Sequence, residues 1–310
     1  MSDLTSVESH FRFGQNWAQF SSGVDRLAIE QSRRELERLL GRNNITGLTF
    51  LDVGSGSGIH SLAALEMGAS RVVAIDIDPD SVATTRNMLE RFAPHSTWSA
   101  EVRSIFDATP SNLGQFDIVY SWGVLHHTGA MNKALISAAD LVADRGDLCV
   151  AIYGKTVLCD LWRAEKRLYA KAPEFVRKAI RGLFLVWFVF LATLRDLTRG
   201  RIFRLRDHVI KYSRSRGMQF YTDIHDWLGG YPYESATPKE VRGLMKNLHF
   251  SEKRSFVQPG LRHGLLGSGC DEYVFHKSPQ SDLGHHVESP DSERAVPQSA
   301  NAGRKPTVEG

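Results

Sequence analysis

Cysteine is scarce in this chain. Its 310 residues hold three, Cys149, Cys159 and Cys270, an odd number with no pair at metal-ligand spacing. That excludes a disulfide framework and suits a reducing compartment, with the three read as small buried hydrophobes. Long hydrophobic runs are missing too. The longest, Leu183–Leu194, has 12 residues, whereas a membrane-spanning helix needs roughly 20. The first ten residues are polar and acidic, which does not match a secretory leader. There is no large charge excess either: 38 Lys and Arg against 35 Asp and Glu give +3. No metal constellation is visible, and the pair His285–His286 reads as incidental. An apolar share of 42% is ordinary for a globular protein. The length allows one large domain, or one domain with an insertion and tails.

What is present is a glycine loop. Leu48-Thr-Phe-Leu-Asp-Val53 is apolar and β-prone apart from Thr49 and Asp52, and Gly54, Gly56 and Gly58 follow at once. Residues 59–67 have helical apolar spacing. The unit is strand, glycine loop, helix, with glycines where the backbone must turn tightly and approach a ligand. The next strand ends at Asp76, about 20 residues beyond the loop, where a doubly wound fold places a carboxylate for ribose hydroxyls. The spacing G-x-G-x-G differs from G-x-G-x-x-G because residue 59 is Ile. A dinucleotide pyrophosphate is therefore off-pattern, and Asp52 before the loop suits a cationic ligand better.

Leu-Asp-Val-Gly-Ser-Gly-Ser-Gly, Val-Val-Ala-Ile-Asp-Ile-Asp and Phe116-Asp-Ile-Val-Tyr-Ser-Trp-Gly-Val-Leu-His-His127 occur in that order. Together they resemble the class I S-adenosylmethionine-dependent methyltransferases, over about residues 48–153. The resemblance implies an α/β, Rossmann-like fold: a seven-stranded, mostly parallel sheet with the last strand antiparallel. It implies S-adenosyl-L-methionine as cofactor, with Asp52 near the methionine ammonium and Gly54, Ser55, Gly56 and Gly58 under the methionyl and ribose parts. Asp76 would take the ribose hydroxyls and Ile77 the adenine, with Ser104 and Ile105 beside that ring. Asp107 would serve either the adenine amine or a turn. Trp122 and Gly123 complete the expected cofactor-binding set, and the loop of residues 123–129 should border the methyl-transfer site, because ligands of open α/β sheets bind beyond the strand ends.

Five segments follow. Residues 1–47 are an N-terminal helical segment with four aromatics between His10 and Phe20; it either packs on the domain or forms a lid with Phe13 and Trp17 as walls. Residues 24–40 read as an amphipathic helix stopped by Gly41. Residues 48–153 are the cofactor-binding core. Its expected elements include a helix at 79–92, a strand within 97–105, a strand at 116–122, a helix at 131–143, a turn at Gly146 and a strand at 148–153. Residues 154–236 are a helical insertion. Within it, residues 155–216 carry 16 Lys and Arg against 5 acids, an excess of 11 that leaves −8 elsewhere. Residues 237–277 supply a closing helix and two strands, and 278–310 read as a disordered tail.

Three readings compete for the apolar run at 183–194: a buried helix of the insertion, an interfacial membrane helix flanked by Arg181 and Arg195, or a dimer contact. Nucleic acid is disfavoured because the charges and the apolar block are segregated. The expected location is cytoplasmic, with a peripheral position at the inner face of a membrane through 181–216 as the variant.

The acceptor is expected to be small and lipophilic: a quinone-like ring, a lipid or a polyketide, methylated at oxygen or carbon. Transfer to RNA and a non-catalytic cofactor-binding scaffold are the alternatives. Candidates for a general base are His126 and His127 at the end of the fourth strand. Rivals are His225, Asp223, Asp226 and Tyr231 in the aromatic stretch 219–234. Substrate walls are Trp17, Tyr153, Trp227, Tyr231 and Tyr233.

Overall fold

The computed structural model describes residues 17, 21, 23–198, 200, 228–257 and 269–279. Phe13, Asp223, His225, Asp226 and Trp227, and residues 201–216 and 280–310, lie outside the described residues. The chain divides after Ser278, and all the elements below belong to the first unit.

Local chemistry sets the element ends. Asp25 caps α1 (Arg26–Leu40) by accepting the Ala28 N–H, and Gly41 ends it in the left-handed conformation. Then follow β1 (Thr49–Val53), α2 (Ile59–Glu66) and β2 (Arg71–Asp76). Asp78 caps α3 (Pro79–Phe92), with Pro79 in the first turn where its missing N–H costs nothing. β3 (Trp98–Val102), the one-turn α4 (Pro110–Leu113) and β4 (Phe116–Trp122) come next. A 3-10 turn at Leu125–His127 leads to α5 (Met131–Asp140) and β5 (Val142–Tyr153). The insertion provides α6 (Cys159–Lys171) and α7 (Glu174–Leu197). A capping box between Thr237 and Glu240 opens α8 (Pro238–Asn247), before β6 (Phe250–Phe256) and β7 (Cys270–Lys277).

One boundary differs from the sequence expectation. The fifth helix stops at Asp140 and the fifth strand begins at Val142, not Leu148. Phe116 pairs with Val142 while Ile118 pairs with Asp147, so residues 143–146 bulge out of the ladder. Arg145 takes a positive φ there. The turn placed at Gly146 is thus a bulge inside one strand.

The sheet order is β3-β2-β1-β4-β5-β7-β6. All neighbours are parallel except β7, which runs antiparallel to both β5 and β6. This is the Rossmann-like arrangement with its closing antiparallel strand. Alternation along the strands divides the core. Leu51, Val53, Val119 and Val150 face α5 and α8, and Phe50, Ile118 and Tyr120 face α1 and α2. The strand order reverses between β1 and β4, and open α/β sheets bind ligands beyond the strand ends at that point. Cys149 and Cys159 are buried, Cys270 only half so.

Candidate active site

The loop after β1 is built by three glycines with positive φ: 76° at Gly54, 54° at Gly56 and 76° at Gly58. Each also has a different close neighbour. A Cβ at Gly54 would lie 2.5 Å from the Val124 methyls, and one at Gly58 would lie 2.9 Å from Thr85 on α3. At Gly56 it would meet the Trp17 indole at 2.9 Å. The N-terminal segment therefore lays Trp17 against the loop, where a lid would place it. Ser55 Oγ sits 3.0 Å from Thr85 Oγ1, tying the loop to α3. Gly58 caps α2, whose first N–H groups point into this corner.

Two carboxylates flank the loop. Asp76 Oδ2 accepts the Gly56 N–H at 3.0 Å and Oδ1 accepts the Asp78 N–H at 2.9 Å. Asp52 is buried on β1, its Oδ2 accepting the Ser61 hydroxyl at 2.6 Å. Burial pushes the Asp76 carboxyl up to about 6. Burial, with repulsion from Asp76 adding to it, pushes Asp52 up to about 7 despite the Ser61 bond. Ile77 is half-buried just beyond. After β3, Ser104 and Asp107 close a turn, the Asp107 N–H donating to the Ser104 carbonyl. The Asp107 side chain is exposed, whereas Ile105 packs into the large core.

Trp122 goes elsewhere than the sequence reading placed it. Residues 118, 120 and 122 share one face of β4. The Trp122 indole reaches across β5, and its Nε1 donates to Glu272 on β7 at 2.9 Å, away from β1 and β2. Gly123 follows with φ 76° and open space where a Cβ would lie.

A second cluster forms where β4 and β5 end. The Tyr153 ring lies 3.9 Å from His126, 5.4 Å from His127 edge-on and 5.4 Å from Tyr233. Residues 228–236 are strapped over it. The Glu234 N–H donates to the His126 carbonyl, and the Glu234 carboxylate accepts the Met131 N–H at the start of α5. A carboxylate at a helix N-terminus is also favoured by the helix dipole. Ala236 N–H donates to the Tyr153 carbonyl. Tyr231 is half-buried at the strap's start and Tyr233 is buried beneath it.

The two histidines differ in kind. His126 is fully buried: Nδ1 accepts the Tyr153 N–H at 3.4 Å and Nε2 is buried with no hydrogen-bond partner. Burial pushes its pKa well below the usual imidazole range. A neutral, enclosed ring cannot reach an acceptor, so His126 is a packing residue and not a base. His127 is half-buried, and its Nδ1 lies 2.7 Å from the Pro232 carbonyl. A carbonyl only accepts, so Nδ1 carries a proton, and in its neutral form the ring would carry its lone pair on Nε2.

Several residues near the cluster carry no signal of their role in the sequence. Tyr233 Oη lies 3.6 Å from Cys159 Sγ at the start of α6. Lys166 is fully buried, with Nζ 3.6 Å from Glu165 and 5.6 Å from the Tyr233 ring centroid. Burial lowers its pKa to about 8, against the pull of Glu165. In the sequence Lys166 is one of 16 basic residues, and nothing marks it as buried. Glu234 stands in the aromatic stretch with nothing to mark it as a helix cap. Among the described residues, no group of three His, Cys, Asp or Glu is placed to hold a metal ion.

Comparisons with known proteins agree with the fold. The magnesium protoporphyrin IX methyltransferase of Synechocystis, solved with bound SAH, superposes with a TM-score of 0.50 at 16% identity, covering 85% of this chain and 93% of that one. A ribosomal protein L11 methyltransferase of Geobacter is 34% identical over 107 residues, 33% of this chain and 35% of its own length. The Escherichia coli protein of the same name is 48% identical over 48 residues, 16% of each chain. The chain thus spans about a third or less of those two curated relatives. Residues 45–206, more than half of the sequence, match the family described as methyltransferase domain, and the chain belongs to that family.

Proposed function

We propose that the protein is an S-adenosylmethionine-dependent methyltransferase acting on a small, lipophilic acceptor. The observation that carries the reading is the pair of carboxylates beside the glycine loop, Asp52 buried and Asp76 half-buried. Burial raises both pKa values, with repulsion from Asp76 adding to it at Asp52 and repulsion from Asp78 adding to it at Asp76, and a cationic ligand would relieve both penalties. S-adenosylmethionine brings a sulfonium and an ammonium; a dinucleotide would bring a pyrophosphate and add to the repulsion. A carboxylate has about four lone-pair sites. Asp76 meets the backbone N–H groups of Gly56, Asp78 and Ile77, which leaves capacity for a ribose hydroxyl. Asp52 would face the ammonium, and the amides of residues 54–58 would cradle the methionyl and ribose parts.

The bound cofactor supplies an activated methyl group for in-line displacement; this chain's residues supply position. Trp17 covers the loop and limits water. The strap of residues 228–236 lays Tyr233 beside Tyr153 at the end of β5, an aromatic wall that suits a flat or apolar acceptor. His127 is the proposed base for an acceptor hydroxyl: the Pro232 carbonyl fixes its proton on Nδ1 and aims basicity at Nε2.

Calorimetric titration tests the reading. Wild type should bind S-adenosylmethionine and S-adenosylhomocysteine in the micromolar range, and Asp76→Ala should weaken both by about 100-fold or more. No binding by a folded wild type would remove the assignment. Binding without methyl transfer to any lipophilic hydroxyl compound in a screen would favour a cofactor-binding scaffold.

A further inference from the structure

The insertion presents a surface that the proposed reaction does not use. α7 is 24 residues long, about 36 Å at the usual rise per residue. Of the three readings of the apolar run, the buried helix fails over its middle. Leu183 is 77% exposed, Phe190 56% and Leu197 65%, with Val186, Trp187 and Leu194 exposed beside them. Positions 183, 187, 190, 194 and 197 follow alternating steps of four and three, so they line one face. Trp187 and Phe190 stack on that face with ring centroids 5.9 Å apart.

The opposite face is tied to α6 at its start, where Arg177 donates to the Tyr169 and Ala170 carbonyls, and Asp196 is buried near its end. α7 is therefore held with its apolar stripe outward. A contiguous exposed apolar patch of this kind on a helix marks a docking surface. No helix among the described residues is long and apolar enough to cross a membrane.

We infer that α7 lies in the plane of an anionic lipid bilayer, its stripe buried at the boundary between headgroups and acyl chains. Charge selects this occupant. The stripe sits within residues 155–216, which carry an excess of 11 positive charges. A second copy docking stripe to stripe would bring two such segments together, whereas an anionic surface neutralises them. Aromatic and aliphatic residues on one face with Lys and Arg around them is the pattern of an interfacial helix. Arg and Lys stems can lie along the apolar face with their heads at the phosphates.

The test is co-sedimentation of the full chain with phosphatidylcholine vesicles, with and without phosphatidylserine. Wild type should pellet with the phosphatidylserine vesicles and be released by salt. Leu183→Glu combined with Phe190→Glu should lower the partition coefficient by at least about tenfold. Both side chains are exposed, so circular dichroism and cofactor binding should stay unchanged. Trp187 gives a readout in wild type: quenching by brominated phosphatidylserine should be lost in Trp187→Phe. No pelleting of wild type at low salt, or equal pelleting of the double variant, would overturn the inference. So would a lipid-free dimer in sedimentation equilibrium that the double variant converts to monomer, since the face would then belong to a second copy.

Discussion

His126 and His127 are neighbours in sequence and opposites in chemistry. The 3-10 turn that carries them points one ring under Tyr153 and the other at Pro232. The His126 ring faces both the Tyr153 N–H and the Ala151 carbonyl, so either tautomer finds a partner, whereas His127 can only donate from Nδ1 to the Pro232 carbonyl. Ring nitrogen shifts measured by NMR at pH 8 should therefore show Nδ1–H for His127. His126 should also fail to titrate as an exposed imidazole does, since burial pushes its pKa well down. An Nε2–H tautomer at His127 would withdraw its assignment as base. Nothing in Leu-His-His separates the two, because the difference lies in Tyr153 and Pro232, 26 and 105 residues downstream of His127.

At the scale of an element, the loop between β1 and α2 is legible in the amino-acid order alone. Three alternate glycines after an apolar strand announce a tight turn, and all three adopt positive φ. Their neighbours are not legible there, since Val124, Trp17 and Thr85 come from three other segments. Gly58 and Gly123 give a matched comparison. Both have φ 76°, but a Cβ at Gly58 would sit 3.0 Å from the Thr85 backbone and one at Gly123 would meet nothing. Both Ala variants carry left-handed strain of roughly 1–2 kcal/mol. Gly58→Ala adds overpacking of about 1–3 kcal/mol. Urea unfolding should therefore rank Gly58→Ala as the more damaging by about that second amount. Equal midpoints would mean that α3 yields at Thr85.

Across the whole molecule, folding, pH and ligand affinity meet at Asp52. Its carboxyl is raised from 3.8 to about 7 in the folded chain. A raised folded pKa means the group's contribution to stability is fully present below about 3.8 and is lost as pH rises to about 7. Asp52→Asn removes the buried charge while keeping an acceptor for the Ser61 hydroxyl. Calorimetric melting of the ligand-free variant should gain on wild type as pH rises from 4 to 8, by about 2–4 kcal/mol in all. Affinity for S-adenosylmethionine at pH 8 should fall in the same variant. In wild type that affinity should hold above pH 7 and weaken below it, as Asp52 and then Asp76 protonate. A variant no more stable at pH 8 than wild type would show that Asp52 is not a buried charge held for a ligand.

The sequence by itself determined most periodic and local features: strand and helix positions apart from the bulged start of β5, the caps at Asp78 and Thr237, the glycine loop and the acid at Asp76. These rest on interactions within a few residues, which composition and spacing record. The tertiary structure decided what depends on distant partners. It set β7 between β5 and β6, turned Trp122 toward Glu272 and buried Lys166 beneath the strap. It separated His126 from His127, and it turned the apolar face of α7 outward. That last choice could not be read from Leu183–Leu194, because an apolar run states what a helix face is made of and not what lies against it.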